Sequence, residues 1–491
     1  MNYYIGIDLG TSSVKLILMD SSGKIRRILS RTYPASYPRS GWSEQNPEDW
    51  YDRTMSGLQE LLEGADRSRV CGLSLGGQMH GLVALDKDDR VIRPAILWND
   101  GRATAEVEYL NDVVGTDKLS RWTGNIAFAG FTAPKLLWMK EQEPQRFARI
   151  AKIMLPKDYL AYRLTGVHCT DPTDASGMLL FDVKNRSWSH EMIEICGIRE
   201  EMLARVYESF EPVGRLKEEP AGALGLGEVL VAAGAGDNAA AALGTGTVSE
   251  GQCNISLGTS GTVFIPCERF IVDGKNALHS FAHADGNYHL MGCILSAASC
   301  GKWWLEDILK TDDYAGETAS FTGGGKNEVF FLPYLMGERS PHNDACARGL
   351  FLGMNMHTTR AGMTQAVYEG VTFALRDSVE IARNMGISPH RSRLCGGGAR
   401  SGAWRQMAAD ILNLEMDLLE TEEGPALGAA MLAAVACGEY GSVEEAAAQI
   451  VRIKETVAPN PEAVETYEAR YQFFRELYPA VKELFRRAVF S

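Results

Sequence analysis

Two short stretches of the chain have the residue types to hold a polyphosphate. Ile7-Asp8-Leu9-Gly10-Thr11-Ser12-Ser13 is echoed about half a chain length later by Ile255-Ser256-Leu257-Gly258-Thr259-Ser260-Gly261. In each copy an apolar run, Tyr4 to Leu9 or Asn254 to Leu257, enters a Gly-Thr-Ser turn and leaves as a second extended run, Val14 to Met19 or Thr262 to Pro266, which is the pattern of a β-hairpin. Glycine lets the turn backbone approach a ligand closely, and successive amides with the Thr and Ser hydroxyls form a cradle for phosphate oxygens. One Gly-Thr-Ser is ordinary turn chemistry. Its recurrence once per half favours the cradle, with Thr11, Ser12, Gly258, Thr259 and Ser260 as contacts. The first copy carries Asp8 where the second carries Ser256, so Asp8 is the candidate partner of a magnesium ion, directly or through water.

Such cradles need a scaffold, and the composition allows one. At ~100 to 200 residues per domain, 491 residues make two to four domains, and 45% hydrophobic with 23% charged residues is a globular rather than a disordered composition. A net charge of −14 argues against nucleic-acid and anionic-membrane partners. The ten cysteines form no CxxC pair and no regular framework, as expected of thiols in a reducing compartment without a zinc site. Asp8 interrupts the apolar run that a secretory signal would need, and no basic flank precedes it, so a cytoplasmic protein is expected. The apolar stretch Ala426 to Cys437 is too short for a bilayer, which takes ~20 residues, and reads as a buried helix.

Strand-like and helix-like segments alternate, an α/β pattern. Val70 to Leu75, Val229 to Ala233, Arg393 to Cys395 and Met416 to Glu420 read as buried strands ending in Gly-rich or polar loops. Helices are predicted over Pro47 to Leu62 with Asn46 as N-cap, over Arg102 to Asn111, over Gly402 to Leu412, and from Glu462 to Arg487. The halves meet near residue 245, where Ala242 to Gly251 reads either as a hinge or as a helix end followed by a loop.

On several segments in order the chain resembles the FGGY carbohydrate kinase family of the actin-like ATPase superfamily: IGIDLGTSSVK, GGQMHG at 76 to 81, ILWNDGR at 96 to 102, GFTAPKLLWMK at 130 to 140, LPKDYL at 155 to 160, GAGDNAAAALG at 234 to 244, SLGTSGTVF at 256 to 264, LPYLMGERSPHND at 332 to 344 and GGGARSGAWRQMAAD at 396 to 410. The resemblance covers nearly the whole chain and implies two actin-like (ribonuclease H-like) ATPase domains flanking a central cleft. Residues 1–245 would bind the sugar and carry the catalytic base, and residues 246–491 would bind ATP. The implied activity is ATP-dependent phosphorylation of D-xylulose at its terminal 5-hydroxyl, with Mg²⁺.

The resemblance also assigns roles. Asp237 would be the catalytic base, although by pattern alone it reads as the N-cap of a helix starting at Asn238. Met79 and His80, on the loop after the Val70 strand, would contact the sugar together with Asn238; without the resemblance a Met-His pair in a loop is structural or incidental. Trp98, Asp100 and Arg102 would form a wall of the sugar pocket, or else Asp100 caps the following helix beside a buried Trp98 while Arg102 anchors the loop. Gly397, Gly398 and Ala399 would let the flat base approach, with Ser401 as contact or helix cap, and with Trp303 and Asn413 on the adenine side. Lys135, Glu338 and Arg339 lie in family segments without a derivable role, and Ala241 stands where many relatives carry Gly. A different pentulose or polyol remains an alternative substrate, and a nucleotide-dependent sugar sensor or chaperone-type ATPase an alternative class. The presence of both Asp8 and Asp237 favours the kinase, and a homodimer is the default assembly.

Overall fold

A computed structural model describes residues 1–319, 321 and 324–487. The chain divides into two compact units. One comprises Met1–Val248, Ser280–His289 and Glu423–Val451, and the other Ser249–His279, Leu290–Glu422 and Arg452–Ser491. The first changeover falls just after the expected meeting point near 245, and the chain then returns twice to the first unit.

The sheet of the first unit runs in the order Pro212–Arg215, Leu230–Ala232, Val70–Gly77, Tyr3–Leu9, Ser13–Asp20, Ile25–Thr32. Tyr3–Leu9 is antiparallel to Ser13–Asp20, as the hairpin pattern predicts, and parallel to Val70–Gly77, which is in turn parallel to Leu230–Ala232. Successive side chains of a strand point to opposite faces. Ile5, Ile7 and Leu9 therefore join Trp50, Leu58, Leu61 and Tyr159 in one core, while Tyr4, Ile17 and Met19 join Leu243, Leu427 and Met431 in the other. The apolar stretch near 426 is the helix Pro425–Ala436, buried over most of its length. It packs against the helix Asp237–Gly244 so closely that a Cβ on Gly428 would lie 1.9 Å from the Ala240 carbonyl oxygen.

The sheet of the second unit repeats that succession: Tyr288–Ile294, Gly261–Cys267, Gln252–Leu257, Arg391–Cys395, Glu415–Leu419, Ile453–Val457. Its hairpin is again antiparallel, its next two pairings are again parallel, and its last is again antiparallel. The internal echo of Gly-Thr-Ser is thus the visible part of a duplicated topology.

Most predicted elements form with bounds shifted by a few residues. Asn46 caps Pro47–Leu61 through the Glu48 amide, and Ser401 caps Gly402–Leu412. The helix expected from Arg102 starts later, at Thr104, because the Asp100 carboxylate accepts from both the Arg102 amide and its guanidinium and holds a turn there. All ten cysteines are free thiols. Among the described residues no helix is long and apolar enough to cross a membrane.

Candidate active site

Three parallel strand ends bring two carboxylates together in the first unit. Asp8 pairs in register with Gly76, and Gly76 with Ala235; one row on, Leu9 pairs with Gly77 and Gly77 with Gly236. Asp237 follows at once as the first residue of its helix. Carboxyl ends of parallel strands are where open α/β sheets place ligands, since the loops there are free of the sheet's packing.

The two carboxylates have different surroundings. Asp8 Oδ1 is buried and accepts no hydrogen bond. Desolvation raises the Asp8 pKa to about 6, against the pull of Lys15, its cross-strand partner, while Glu423 adds to the rise. Lys15 is itself paired with Glu423 at 3.0 Å. Asp237 is raised further, to about 7, first by desolvation and then by the charge of Asp8. Its Oδ1 accepts from the Asn238 amide at 2.8 Å and from Asn238 Nδ2 at 3.0 Å. The N-cap position belongs to Gly236, so the capping reading of Asp237 does not hold: the carboxylate sits inside the helix and serves only its neighbour.

The loop after Val70–Gly77 lies against this turn. A Cβ on Gly236 would fall 2.8 to 3.1 Å from the Met79 side chain, and Asn238 Nδ2 is 3.9 Å from Met79 Sδ. Met79 is therefore a wall of the Asp237 turn. His80 follows with φ 69°, in the left-handed region that a side chain rarely enters without support. Support is present: the His80 carbonyl accepts from Thr132 Oγ1 at 3.0 Å and from Lys135 Nζ at 2.9 Å, while its Nδ1 lies 2.9 Å from the Gly177 carbonyl. The ring packs 4.8 Å from Phe131. Lys135 is fully buried, gives its other hydrogen bond to the Gly130 carbonyl at 2.5 Å, and is drawn down to about pKa 7 by burial.

Asp100 and Arg102 are placed as the loop-anchoring alternative describes. Asp100 is 2% exposed, and its Oδ2 accepts from the Ser43 amide at 2.5 Å and from Arg102 Nη2 at 2.7 Å. The fully buried Arg102 side chain also pairs with Glu44 at 2.8 Å and lies over the Trp42 ring at 3.7 Å. Most of their bonds go to each other and to the loop, which they anchor, while Arg102 Nη1 is buried without a hydrogen-bond partner. Trp98, read as a buried neighbour, is 41% exposed and donates from Nε1 to Thr11 Oγ1 at 3.0 Å, tying the ILWNDGR loop to the first Gly-Thr-Ser turn. The Thr11 carbonyl accepts from Gln45 Nε2 at 2.6 Å, and Ser12 is exposed at the turn's tip.

In the second unit a cavity of about 780 Å³ opens between the second Gly-Thr-Ser turn and the Gly-rich turn at 396 to 398, with Thr259, Gly397, Gly398 and Ser401 in its lining. The turn is tied down by the next helix: the Gly258 carbonyl accepts from the Ala298 amide at 2.8 Å, and the Thr259 carbonyl accepts from the Ala297 amide at 2.9 Å and from Ser299 Oγ at 2.8 Å. Trp404 forms a fixed wall, donating from Nε1 to Thr372 Oγ1 and meeting Tyr368 edge-on at 4.7 Å. Gly258 and the exposed Ser260 complete the turn without lining the cavity.

Three further expected contacts fall outside that lining. Ala399 is 7% exposed and lies beneath the turn, Trp303 stacks on Phe331 while Lys302 faces the cavity, and Asn413 is the left-handed cap that ends Gly402–Leu412. The cavity gains Tyr314, Thr318 and Tyr368, which no spacing in the sequence marks.

A duplicated α/β topology, paired carboxylates at parallel strand ends and a cavity walled by a Gly-rich turn define a two-unit kinase. The chain belongs to the FGGY family of carbohydrate kinases: residues 3–244 match the family's N-terminal domain and residues 253–437 its C-terminal domain. It is 41% identical over 485 residues to the xylulose kinase of Escherichia coli K12, spanning 97% of this chain and 98% of that one. It is 39% identical over 490 residues to the xylulose kinase of Bacillus subtilis 168, spanning 99% and 98%. A solved xyloylose kinase from Brucella ovis superposes with a TM-score of 0.93 at 38% identity, over 98% of this chain and 100% of that one.

Proposed function

We propose that the chain transfers the terminal phosphoryl group of ATP to the 5-hydroxyl of D-xylulose, with Asp237 as the general base. The observation that carries the reading is the register row that sets Asp8 and Asp237 at strand ends on either side of Val70–Gly77, with Met79 against the Asp237 turn. The choice of sugar rests on the likeness, over nearly the whole length, to xylulose kinases.

A polyol pocket needs donors and acceptors held in place, which the pinned His80 and Asn238 supply, and an adaptable apolar wall, which Met79 supplies. Phosphoryl transfer has a loose transition state, so positioning and charge stabilisation do most of the work. Asp237 accepts the proton of the attacking hydroxyl, and a carboxylate held near pKa 7 is matched to that task at neutral pH. The cavity beside Gly397 and Trp404 takes the nucleotide base, and the Gly-Thr-Ser turn at its edge takes phosphate oxygens.

The donor set fits Mg²⁺. Asp8 Oδ1 is a buried carboxylate oxygen without a partner, the kind of hard donor that Mg²⁺ takes. Such an ion would neutralise charge on the phosphates. The test is a coupled ADP-release assay over a panel of ketoses and polyols with Asp237→Ala beside the native enzyme. D-Xylulose should give the highest kcat/KM and glycerol scarcely any, and Asp237→Ala should lose orders of magnitude in kcat while both substrates still bind. Glycerol or L-ribulose surpassing D-xylulose would overturn the sugar; near-normal turnover by Asp237→Ala would overturn the base.

A further inference from the structure

The turn that delivers Asp237 is Gly234-Ala235-Gly236, which offers almost no side chain for packing. Only Ala235 and Gly236 pair with the sheet, so the turn's position must be set by partners outside it. Those partners are specific. The Ala233 amide donates to the Glu211 carbonyl at 3.0 Å, and the Gly234 amide to the Ser209 carbonyl at 3.0 Å. The last amide before the carboxylate, that of Gly236, donates to a side chain: Thr173 Oγ1 at 2.9 Å.

We propose that Thr173 is a positioning residue for phosphoryl transfer, its hydroxyl holding the Gly236 amide so that the Asp237 carboxylate is presented at a fixed place. The inference rests on the reading of Asp237 as the base. Thr173 Oγ1 has one hydrogen, and it is given to Asp171 Oδ2 at 2.5 Å, which turns an oxygen lone pair toward Gly236. Asp171 Oδ2 also accepts from the Thr173 amide at 2.9 Å and from Ser209 Oγ at 2.9 Å. Its Oδ1 is 3.1 Å from Lys157 Nζ, and Lys157 donates in turn to the Ala233 carbonyl at 3.3 Å, the start of the same turn. Lys157, Asp171 and Thr173 are all at 0% exposure. The two ends of the Asp237 turn are thereby joined through one buried ion pair and one hydroxyl.

Burying an ion pair is a poor route to stability compared with apolar packing, whereas it can fix one arrangement among several. Fixing matters here. A base misplaced by about 1 Å can cost on the order of 10²-fold in rate, and a turn of small residues has many nearby arrangements.

Thr173→Val keeps the shape and removes the acceptor; Thr173→Ser keeps the acceptor. With D-xylulose and ATP, Thr173→Val should lower kcat about 10- to 100-fold while both KM values stay within about twofold of native, and Thr173→Ser should recover most of kcat. Native kcat in Thr173→Val, or a Ser variant as impaired as the Val variant, overturns the proposal. Asp237→Asn is measured alongside: turnover surviving in that variant removes the base and this proposal with it, whereas its loss together with an intact Thr173→Val removes this proposal alone. Should Thr173→Val fail to fold, hydrogen exchange in the native enzyme decides, with a slow Gly236 amide expected and exchange at the rate of an open loop overturning it.

Discussion

The charge of Asp8 reaches Asp237: after burial, it is what holds the proton on that carboxyl and brings its pKa to about 7. The two residues sit at the ends of parallel strands on either side of Val70–Gly77, so the coupling is built into the register of the sheet. A base must be ionised to act, and kcat/KM reports the free enzyme. The kcat/KM for D-xylulose should therefore fall as pH drops through about 7. Asp8→Asn removes the like charge, lowers the Asp237 pKa, and should carry that acid limb to lower pH even as turnover falls and the Mg²⁺ requirement rises. A pH profile of the variant with an unmoved limb and an unchanged magnesium titration would contradict the coupling.

Lys135 acts on the sugar loop through a backbone oxygen. Its Nζ and the Thr132 hydroxyl converge on the carbonyl of His80, the residue held at φ 69°. Lys135→Met keeps the stem's volume and removes the donors. The KM for D-xylulose should rise about tenfold, the cost of leaving one buried carbonyl short of a hydrogen bond, and the KM for ATP should stay unchanged. In a His80→Ala background the same substitution should cost less, because the ring whose placement it secures is gone; equal costs in both backgrounds would refute the link.

Gly397 offers a test of the nucleotide cavity without disturbing its walls. A Cβ there meets nothing within 4 Å, although the residue lines the cavity. Gly397→Val should fill the space for the base and raise the KM for ATP at least about tenfold, more than one lost hydrophobic contact, with little change in melting temperature or in the KM for D-xylulose. Gly398→Ala is the contrast, since its Cβ would come 2.5 Å from Trp404, and it should lower the melting temperature as well. An unchanged ATP KM in Gly397→Val would place the base elsewhere.

Arg102 should prove a residue of stability. Removing it by Arg102→Ala leaves Asp100 and Glu44 without their shared cation, and breaking a buried pair in this way costs about 3 to 5 kcal/mol. Denaturant titration should show the loss, and at a temperature where the variant is folded its KM for D-xylulose should be near native. A large KM effect with undiminished stability would return Asp100 and Arg102 to the sugar.

What the sequence by itself determined is local or repeated. Hairpin patterning marked both Gly-Thr-Ser turns, Asn46 and Ser401 announced the helices they cap, and the apolar stretch from Ala426 became a buried helix, because alternation, capping and short-range hydrogen bonding act over a few residues. Their duplication across the two halves was also visible, and the ordered run of motif segments carried the family. The tertiary structure alone decided which polar groups face inward. Asp100 and Arg102 look like ligand contacts, and only the fold shows that Glu44, Trp42 and Ser43, from a distant stretch, take up most of their bonding capacity. Trp98 came out exposed, Trp303 and Asn413 fell outside the cavity, and Tyr314 and Tyr368 entered it. Lys135 and Thr173 gained their places only when His80 and Gly236, far away in sequence, came within hydrogen-bond reach. A buried donor or acceptor is defined by the partner it finds, and a partner tens of residues away leaves no trace in the spacing around either one.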